Sequence, residues 1–362
     1  MAKLYKASHG YEAVYCWCSS SAHTKMWLLE YSDFLRVIVT SSNAMGQDFN
    51  SSDNHWFVQD FPRHRLPAGA KPPKRTKSAK EFERILFGHA LALGMPRDYQ
   101  DDVLSKRFDF SRVRVSLVAS TPGITRPDLD DDGDEVALGL LRLKQLVGEE
   151  KKIAAMEICS ASVGKIDTDD GAWLRHVWHA VSGGKLDWEP KVGNQGLGGP
   201  PVQIVYPAVK DINDDEAAGV LVLPKSSACQ MGCHTKWNEA SSRIKNLFRR
   251  YRSTCEGVLT HQKLIVAWHE PASSLDDVPS FVVFGSHNFS ASAWGKIKPA
   301  TKRKPIGIDI KNYELSVFVP GDVLVSLLAP DSVWTDLMTY ERPAPALRPG
   351  DRPFNSKVRR SR

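Results

Sequence analysis

The sequence predicts an α/β protein assembled from two related halves. Three observations carry that expectation. The 362 residues suit about two domains at the usual ~150 residues each. Segments of strand character alternate with segments of helical period along the chain. One short unit, His-x-Lys followed by two apolar strands and an Asn, occurs once in each half.

The composition is 42% hydrophobic, 25% charged and 9% aromatic, which excludes disordered, collagen-like and coiled-coil classes. No run approaches ~18 apolar residues, so nothing reads as membrane-spanning. Met1–Cys18 lacks the apolar run of a secretion signal. Six cysteines are too sparse for a disulfide scaffold and suit a reducing compartment. The net charge of +6 resides in 342–362, which holds seven Lys or Arg and one Asp. The remainder carries 41 charges of each sign, so a polyanion must be met by local patches.

From Tyr11 to Ser42 the chain reads as strands, with apolar runs at Lys25–Tyr31 and Leu35–Thr40. A basic, proline-bearing stretch follows at 63–77. Ser78 and Glu81 then read as a capping box. Phe82, Ile85, Leu86 and Leu93 follow near helical spacing, with Gly94 and Pro96 as the stop. Val113–Val118 reads as a strand ending in Ser120-Thr121-Pro122-Gly123. The acidic run from Asp128 to Glu135 reads as a solvated loop, because like charges this close repel. It divides a first half, 1–135, from a second, 136–341. Leu140, Leu141, Leu143 and Leu146 predict a helix closed by Gly148. Lys152–Ile158 and Val202–Tyr206 read as strands, and Ala172–Val181 as a helix before Gly183-Gly184. Asn238 is the expected cap of a helix carrying Ile244, Leu247, Phe248 and Tyr251 on one face. Leu264–Trp268, Phe281–Phe284 and Leu315–Val319 are further strands. The Pro- and Arg-rich stretch 342–362 reads as a basic disordered tail.

The duplicated unit carries the chemistry. Its first copy is His23-Thr24-Lys25, a strand, then a second strand ending Val39-Thr40-Ser41-Ser42-Asn43. Its second is His261-Gln262-Lys263, a strand, then one ending Val283-Phe284-Gly285-Ser286-His287-Asn288. The His-to-Asn separations are 20 and 27 residues. Strand residues i and i+2 share a face, so each His and its Lys can point the same way. Packed side by side, the two units bring together two imidazoles, two ammonium groups and two amides. That set suits phosphodiester hydrolysis without a metal: one His attacks phosphorus, the other protonates the leaving oxygen, and the cations hold the phosphoryl charge.

These residues resemble the phospholipase D superfamily and, within it, the tyrosyl-DNA phosphodiesterase family. The superfamily at large carries an Asp five residues after the Lys. Glu30 and Trp268 stand there instead, and loss of that Asp with Asn retained marks the tyrosyl-DNA branch. Trp56–Pro62 (WFVQDFP), Leu117–Gly123 (LVASTPG), Ser160–Gly164 (SASVG) with Trp173-Leu174, Gly285–Gly295 (GSHNFSASAWG) and Tyr313-Glu314-Leu315 are also similar. The likeness runs from about His23 to Pro320. It implies a pseudo-twofold phospholipase D-like α/β/α sandwich of two repeats with the site on the midline. The first repeat is expected to be truncated at its N-terminus, since only 22 residues precede His23.

The resemblance also implies roles. His23 would be the nucleophile that forms a covalent phosphohistidine, and His261 the general acid and then the base. Lys25, Lys263, Asn43 and Asn288 would bind phosphoryl oxygens, Glu314 would orient one catalytic His, and Ser160 and Ser162 would touch the DNA backbone. Asn54 stands near a family Gln that contacts a His, and is given no role. No metal or organic cofactor is implied. The implied partner is DNA, single-stranded or at 3′ ends, with covalent topoisomerase I peptide adducts. The protein would be a nuclear monomer with no membrane partner.

Other features are weaker. Lys236, Arg243, Lys245, Arg249, Arg250 and Arg252, interleaved with Trp237, Phe248 and Tyr251, suit either a solvated helix face or the wall of a single-strand groove. Cys229-x-x-x-Cys233-His234 lacks a second pair at zinc spacing and reads as idle thiols. His55, His64 and His89 read as structural, and His287 as pointing away from Asn288. Lys71–Lys77 and Lys357–Arg362 suit nuclear addresses. The rival to the enzyme is a catalytically weak or inactive DNA-binding remnant with a truncated first repeat. A third reading keeps the enzyme and changes the substrate to a phospholipid or another nucleic-acid end.

Overall fold

The computed structural model describes residues 3–6, 12–15, 20–50, 52–65, 74–99, 107–129, 135–148, 153–166, 172–181, 202–212, 231–255, 258–270, 272, 274–302 and 304–356. The N-terminal half supplies a three-stranded antiparallel sheet of β1 (Met26–Glu30), β2 (Phe34–Thr40) and β3 (Trp56–Pro62), in that order. Alternation in β2 sends Leu35, Val37 and Val39 inward to complete burial, as a two-residue period requires. Helix α1 (Lys77–Ala92) begins at Thr76, whose hydroxyl accepts from the Ala79 N–H. This corrects the expected Ser78–Glu81 box. Thr76 has the extended backbone a cap needs, whereas Ser78 already lies within the first turn. Glu81 instead pairs with the guanidinium of Arg142. The helix buries Phe82 against Phe61 and Phe110.

The larger sheet has eight strands. Seven are β4 (Ser116–Ser120), β5 (Ala155–Ser160), β6 (Val202–Tyr206), β7 (Phe248–Arg250), β8 (Lys263–Trp268), β9 (Phe281–Gly285) and β10 (Asn312–Pro320). They run β7-β6-β5-β8-β9-β10, and both β4 and the two-residue strand Ser21–Ala22 pair with β10. Pairing is mixed: β5–β6 and β6–β7 are parallel, while β5–β8, β8–β9 and β9–β10 are antiparallel. On one face Ile158, Ile204, Ile265 and Val283 pack with helices α2 (Gly139–Val147) and α3 (Ala172–Val181). On the other, Val205, Leu264, Val266 and Val317 meet Leu35, Val39, Phe57 and Phe61 of the small sheet. Burial on both faces explains why β8 reads KLIVAW with every residue buried. Among the described residues, no helix is long and apolar enough to cross a membrane.

Four further expectations meet a different structure. β4 precedes the 135/136 division, yet it is hydrogen-bonded into the large sheet. Asn238 caps no helix: Ser241 caps the short helix Ser242–Lys245, and Phe248–Arg250 is an edge strand on β6. The apolar spacing suited a helix, but the open edge of β6 offers ladder hydrogen bonds that a helix would forgo. The strand expected at 152–158 runs Ala155–Ser160. Residues 342–356 are packed and not a disordered tail. Arg342 bonds both oxygens of Glu157 at 3.0 Å, Ala346 bridges Arg249, Asn355 bridges Gly232, and Phe354 is 3% exposed. A half-buried carboxylate and a socket for an aromatic ring hold what composition alone marks as loose. Residues 357–362, the basic prolines at 66–73, Asp130–Asp134, Gly183-Gly184 and Cys229 lie outside the described residues.

Candidate active site

Strand pairing across the two halves seats both histidines. Ser21–Ala22 lies parallel to Asn312–Tyr313, and the His23 N–H donates to the Tyr313 carbonyl at 3.0 Å. Leu259–Thr260 lies parallel to Ser52–Asp53, and the His261 N–H donates to the Asp53 carbonyl at 3.2 Å. Each His is thus anchored on the opposite half, immediately before the residue its ring addresses. That residue is Glu314 for His23 and Asn54 for His261.

The surrounding hydrogen bonds repeat with the same exchange. Ser286 donates its hydroxyl to Glu314 Oε2 at 2.6 Å and accepts from the Leu315 N–H at 2.9 Å. Ser41 donates its hydroxyl to Asn54 Oδ1 at 2.8 Å and accepts from the His55 N–H at 3.1 Å. The lysines repeat it too: Lys25 Nζ donates to the His23 carbonyl at 2.7 Å and Lys263 Nζ to the His261 carbonyl at 2.6 Å. Folding each ammonium back two residues fixes the long side chains before any anion arrives, so little side-chain freedom remains to be lost on binding.

The two rings differ in what faces Nδ1. His23 Nδ1 meets Glu314 Oε2 and the Ser286 carbonyl, both at 2.9 Å. Both are acceptors, so Nδ1 carries the hydrogen and Nε2 presents a lone pair. Glu314 is fully buried and accepts also from Asn312 Nδ2 at 3.0 Å. Burial pushes its carboxyl upward, but the imidazole of His23, then His287 and the Ser286 hydroxyl, outweigh that and hold it at about 2. Burial pulls His23 below its ordinary value against the opposing pull of Glu314.

His261 Nδ1 lies 3.2 Å from Asn54 Oδ1, a neutral acceptor, and its Nε2 lies 3.1 Å from Lys263 Nζ and 3.3 Å from Asn43 Nδ2. Two donors at Nε2 and an acceptor at Nδ1 select the Nδ1–H tautomer. Burial, then Lys263, Lys25 and His23, drive its imidazole far below the ordinary range. Burial likewise depresses Lys263 strongly and brings Lys25 down to about 8. The set is therefore a buried, electropositive pocket that an anion would relax.

Residues 11–357 match the family model described as tyrosyl-DNA phosphodiesterase. The chain belongs to that family. Arabidopsis thaliana tyrosyl-DNA phosphodiesterase 1 is 22% identical over 324 residues, covering 83% of this chain and 47% of that relative. The chain thus spans about half the length of the curated relative it matches. A mutant of yeast tyrosyl-DNA phosphodiesterase superposes with a TM-score of 0.60 at 15% identity, covering 92% of this chain and 76% of the other. The yeast tyrosyl-DNA phosphodiesterase structure itself gives 0.56 at 15% identity with the same coverage. The α/β architecture, with its mixed sheets and outer helices, is accordingly that of the family's phospholipase D-like fold.

Within this family fold, the expected residues His23, Lys25, Asn43, His261, Lys263 and Glu314 come together as described. Asn288 is held beside Ser162, where its Oδ1 accepts from the Ser162 N–H at 3.0 Å. Ser162 remains half-exposed, with its hydroxyl donating to the Gly232 carbonyl at 2.9 Å. Ser160, expected to touch DNA, is instead 1% exposed. Its hydroxyl donates to the Ser162 carbonyl at 2.8 Å and accepts from the Phe289 N–H at 3.0 Å, so it holds the Asn288 turn from beneath. Gly285 opens that turn at φ 152°, where a Cβ would stand 2.5 Å from the Leu315 carbonyl oxygen. His287 is buried between Ser120 and Ser316 at 2.9 and 2.7 Å, and burial takes it down to about 3. His89 bonds Thr24 and His55 bonds the Leu337 carbonyl, both buried.

Sequence reasoning missed Ser41, Ser286 and Asp48, and left Asn54 without a role. The first two stand in matched positions of the repeat, two residues before each Asn, and that symmetry was the available signal. Among the described residues, no three His, Cys, Asp or Glu side chains gather as a metal ion would require.

Proposed function

We propose that this chain hydrolyses 3′-phosphodiester links at DNA ends, a 3′-phosphotyrosyl link among them. The observation that carries the reading is the asymmetry inside a symmetric frame. His23 has a carboxylate at Nδ1 where His261 has an amide. In the first step Nε2 of His23 attacks phosphorus, the phosphorus–tyrosyl oxygen bond breaks, and the ring becomes a phosphorylated cation that Glu314 stabilises. His261 gives the tyrosyl oxygen its proton. In the second step His261 takes a proton from water, water oxygen bonds phosphorus, and the phosphorus–nitrogen bond breaks to leave a 3′-phosphate. Lys25, Lys263, Asn43 and Asn288 hold the phosphoryl oxygens throughout.

The DNA strand would leave the pocket past Ser162 and Gly232. Next along the chain from Gly232, Cys233, Thr235, Lys236 and Trp237 line a cleft of about 520 Å³ together with Arg352. Lys245 Nζ sits 5.7 Å from the Trp237 ring centroid. Arg250 is held by Asp211 and Arg252 by Glu341, so Arg243, Lys245 and Arg249 supply the net charge for phosphates. Topoisomerase I peptide adducts and a nuclear location go with this substrate.

The test is a purified-protein assay with a 3′-phosphotyrosyl oligonucleotide in EDTA, expected to yield tyrosine and a 3′-phosphate. His261→Asn should accumulate a DNA–protein adduct as a shifted band on a denaturing gel, and His23→Ala should form none. An adduct trapped by His23→Ala reverses the assignment. No product and no adduct from the wild type leaves the DNA-binding remnant as the correct reading.

A further inference from the structure

The exchange symmetry is broken at one more place. Asp48, in the short helix Gly46–Asn50, has a side chain with 0% exposure, and its Oδ2 lies 3.6 Å from His261 Nδ1. The same oxygen accepts the Asn43 N–H at 2.7 Å. The second copy of the unit has Ala293 at the matching offset from Asn288. Asn54 also holds the segment from the other side, with Nδ2 donating to the Asp48 carbonyl at 3.0 Å and to the Ser52 carbonyl at 3.2 Å. The carboxylate is therefore fixed on the Nδ1 side of the ring, whereas Lys263 Nζ and the Asn43 side-chain amide stand at Nε2.

Resting on the proposed acid–base role of His261, we infer that Asp48 is the positioning carboxylate of that histidine. It supplies the negative charge that Asn54 cannot. Asn54 orients the ring and sets its tautomer, but a neutral amide does little to balance an imidazolium. His261 must be an imidazolium twice, before it protonates the leaving oxygen and after it takes the proton from water. The titratable groups that face it are Lys263 on its own strand, His23 and Lys25 from the first unit, and Asp48; Asp53 turns its carboxylate to the Tyr251 hydroxyl. Three of those groups oppose its protonation, and Asp48 is the anion set against them. Its influence reaches both lysines as well, whose charged forms it favours. Asp48 reaches His261 from the first half as Glu314 reaches His23 from the second, so each ring is served by a carboxylate from across the midline.

Asp48→Asn tests this, because the amide oxygen can still accept the Asn43 N–H while the charge is lost. An opposite charge this close moves a pKa by roughly one to three pH units. The alkaline limb of the single-turnover cleavage rate should move to lower pH by that amount. Cleavage at neutral pH should fall about 10- to 100-fold and recover on acidification. A profile that superimposes on the wild type, or a fall that is uniform at every pH, overturns the inference. The ¹⁵N signals of His261, titrated by NMR with inorganic phosphate bound, give a readout independent of turnover. The protonation midpoint should drop in Asp48→Asn, and an unchanged midpoint overturns the inference even if the wild type proves inactive. A wild type that cleaves no 3′-phosphotyrosyl oligonucleotide, yet shows the shifted midpoint, refutes the proposed function and leaves the positioning role standing.

Discussion

Glu314→Gln separates the charge on the buried carboxylate from its shape. Gln can place an oxygen where Oε2 accepts from His23 Nδ1 at 2.9 Å, so a neutral hydrogen bond survives. What disappears is the attraction between the carboxylate and the cation that His23 would become on bonding phosphorus in the proposed mechanism. At 2.9 Å and an effective dielectric of ~20, that attraction is about 6 kcal/mol gross. Most of it is offset, because the ground state also holds Glu314 through Ser286 and Asn312. The net is the difference between a charge-assisted and a neutral hydrogen bond, roughly 1–2 kcal/mol. That corresponds to about 5- to 30-fold in the rate of adduct formation. The assay is single-turnover formation of the covalent adduct in a His261→Asn background, where the second step is blocked. The thermal midpoint serves as a control for folding. An adduct rate within twofold of the parent, at unchanged thermal midpoint, refutes the charge argument.

Lys25 should give a pH dependence to substrate affinity. Burial lowers its pKa to about 8, so the apo protein carries the ammonium below that pH and loses it above. A labelled oligonucleotide should bind His23→Ala with full affinity below about pH 8 and progressively less above it; constant affinity to pH 10 counts against this. The sign for stability is opposite, because an unfolded Lys keeps its proton to ~10.4. The unfolded chain then binds more protons between the two values, and this group's contribution to stability rises with pH across that window. Phe354→Ala should destabilise the protein by about 3 kcal/mol or more in urea, as large-to-small core changes do. A loose tail would instead show a change within roughly 0.5 kcal/mol.

The strands were legible because they are short apolar runs of bulky and β-branched residues: Leu35–Thr40 is interrupted by one Arg, and Leu264–Trp268 is apolar throughout. The candidate set was legible because it is written twice, and two copies of His-x-Lys with a trailing Asn are hard to obtain otherwise. Asp48 had no twin to expose it, and an acidic residue in a short polar segment reads as solvated until the fold buries it. Ser160 was misjudged for the converse reason. A serine beside a pocket looks available, and only the turn at Asn288 shows that its hydroxyl is already engaged. At 342–356 composition pointed one way and packing the other, since Glu157 and the Phe354 socket are formed by residues far away in sequence.

The placement of β4 sets the terms on which the chain can be cut. Ser116–Ser120 is delivered from the N-terminal half and pairs along Glu314–Phe318 of β10. The strand that carries Glu314 is therefore laced on one flank by a segment from before the acidic run. Cleaving the chain within that run would leave two polypeptides, one with a donor strand and one with the vacancy it fits. Neither would own the whole of the large sheet, and the C-terminal piece would expose the unpaired edge of β10. Mixed together, they would be complementary pieces and not two small proteins. Such a pair could report on assembly, since the proposed activity would return only when the edge is filled and Glu314 regains its register with Ser120.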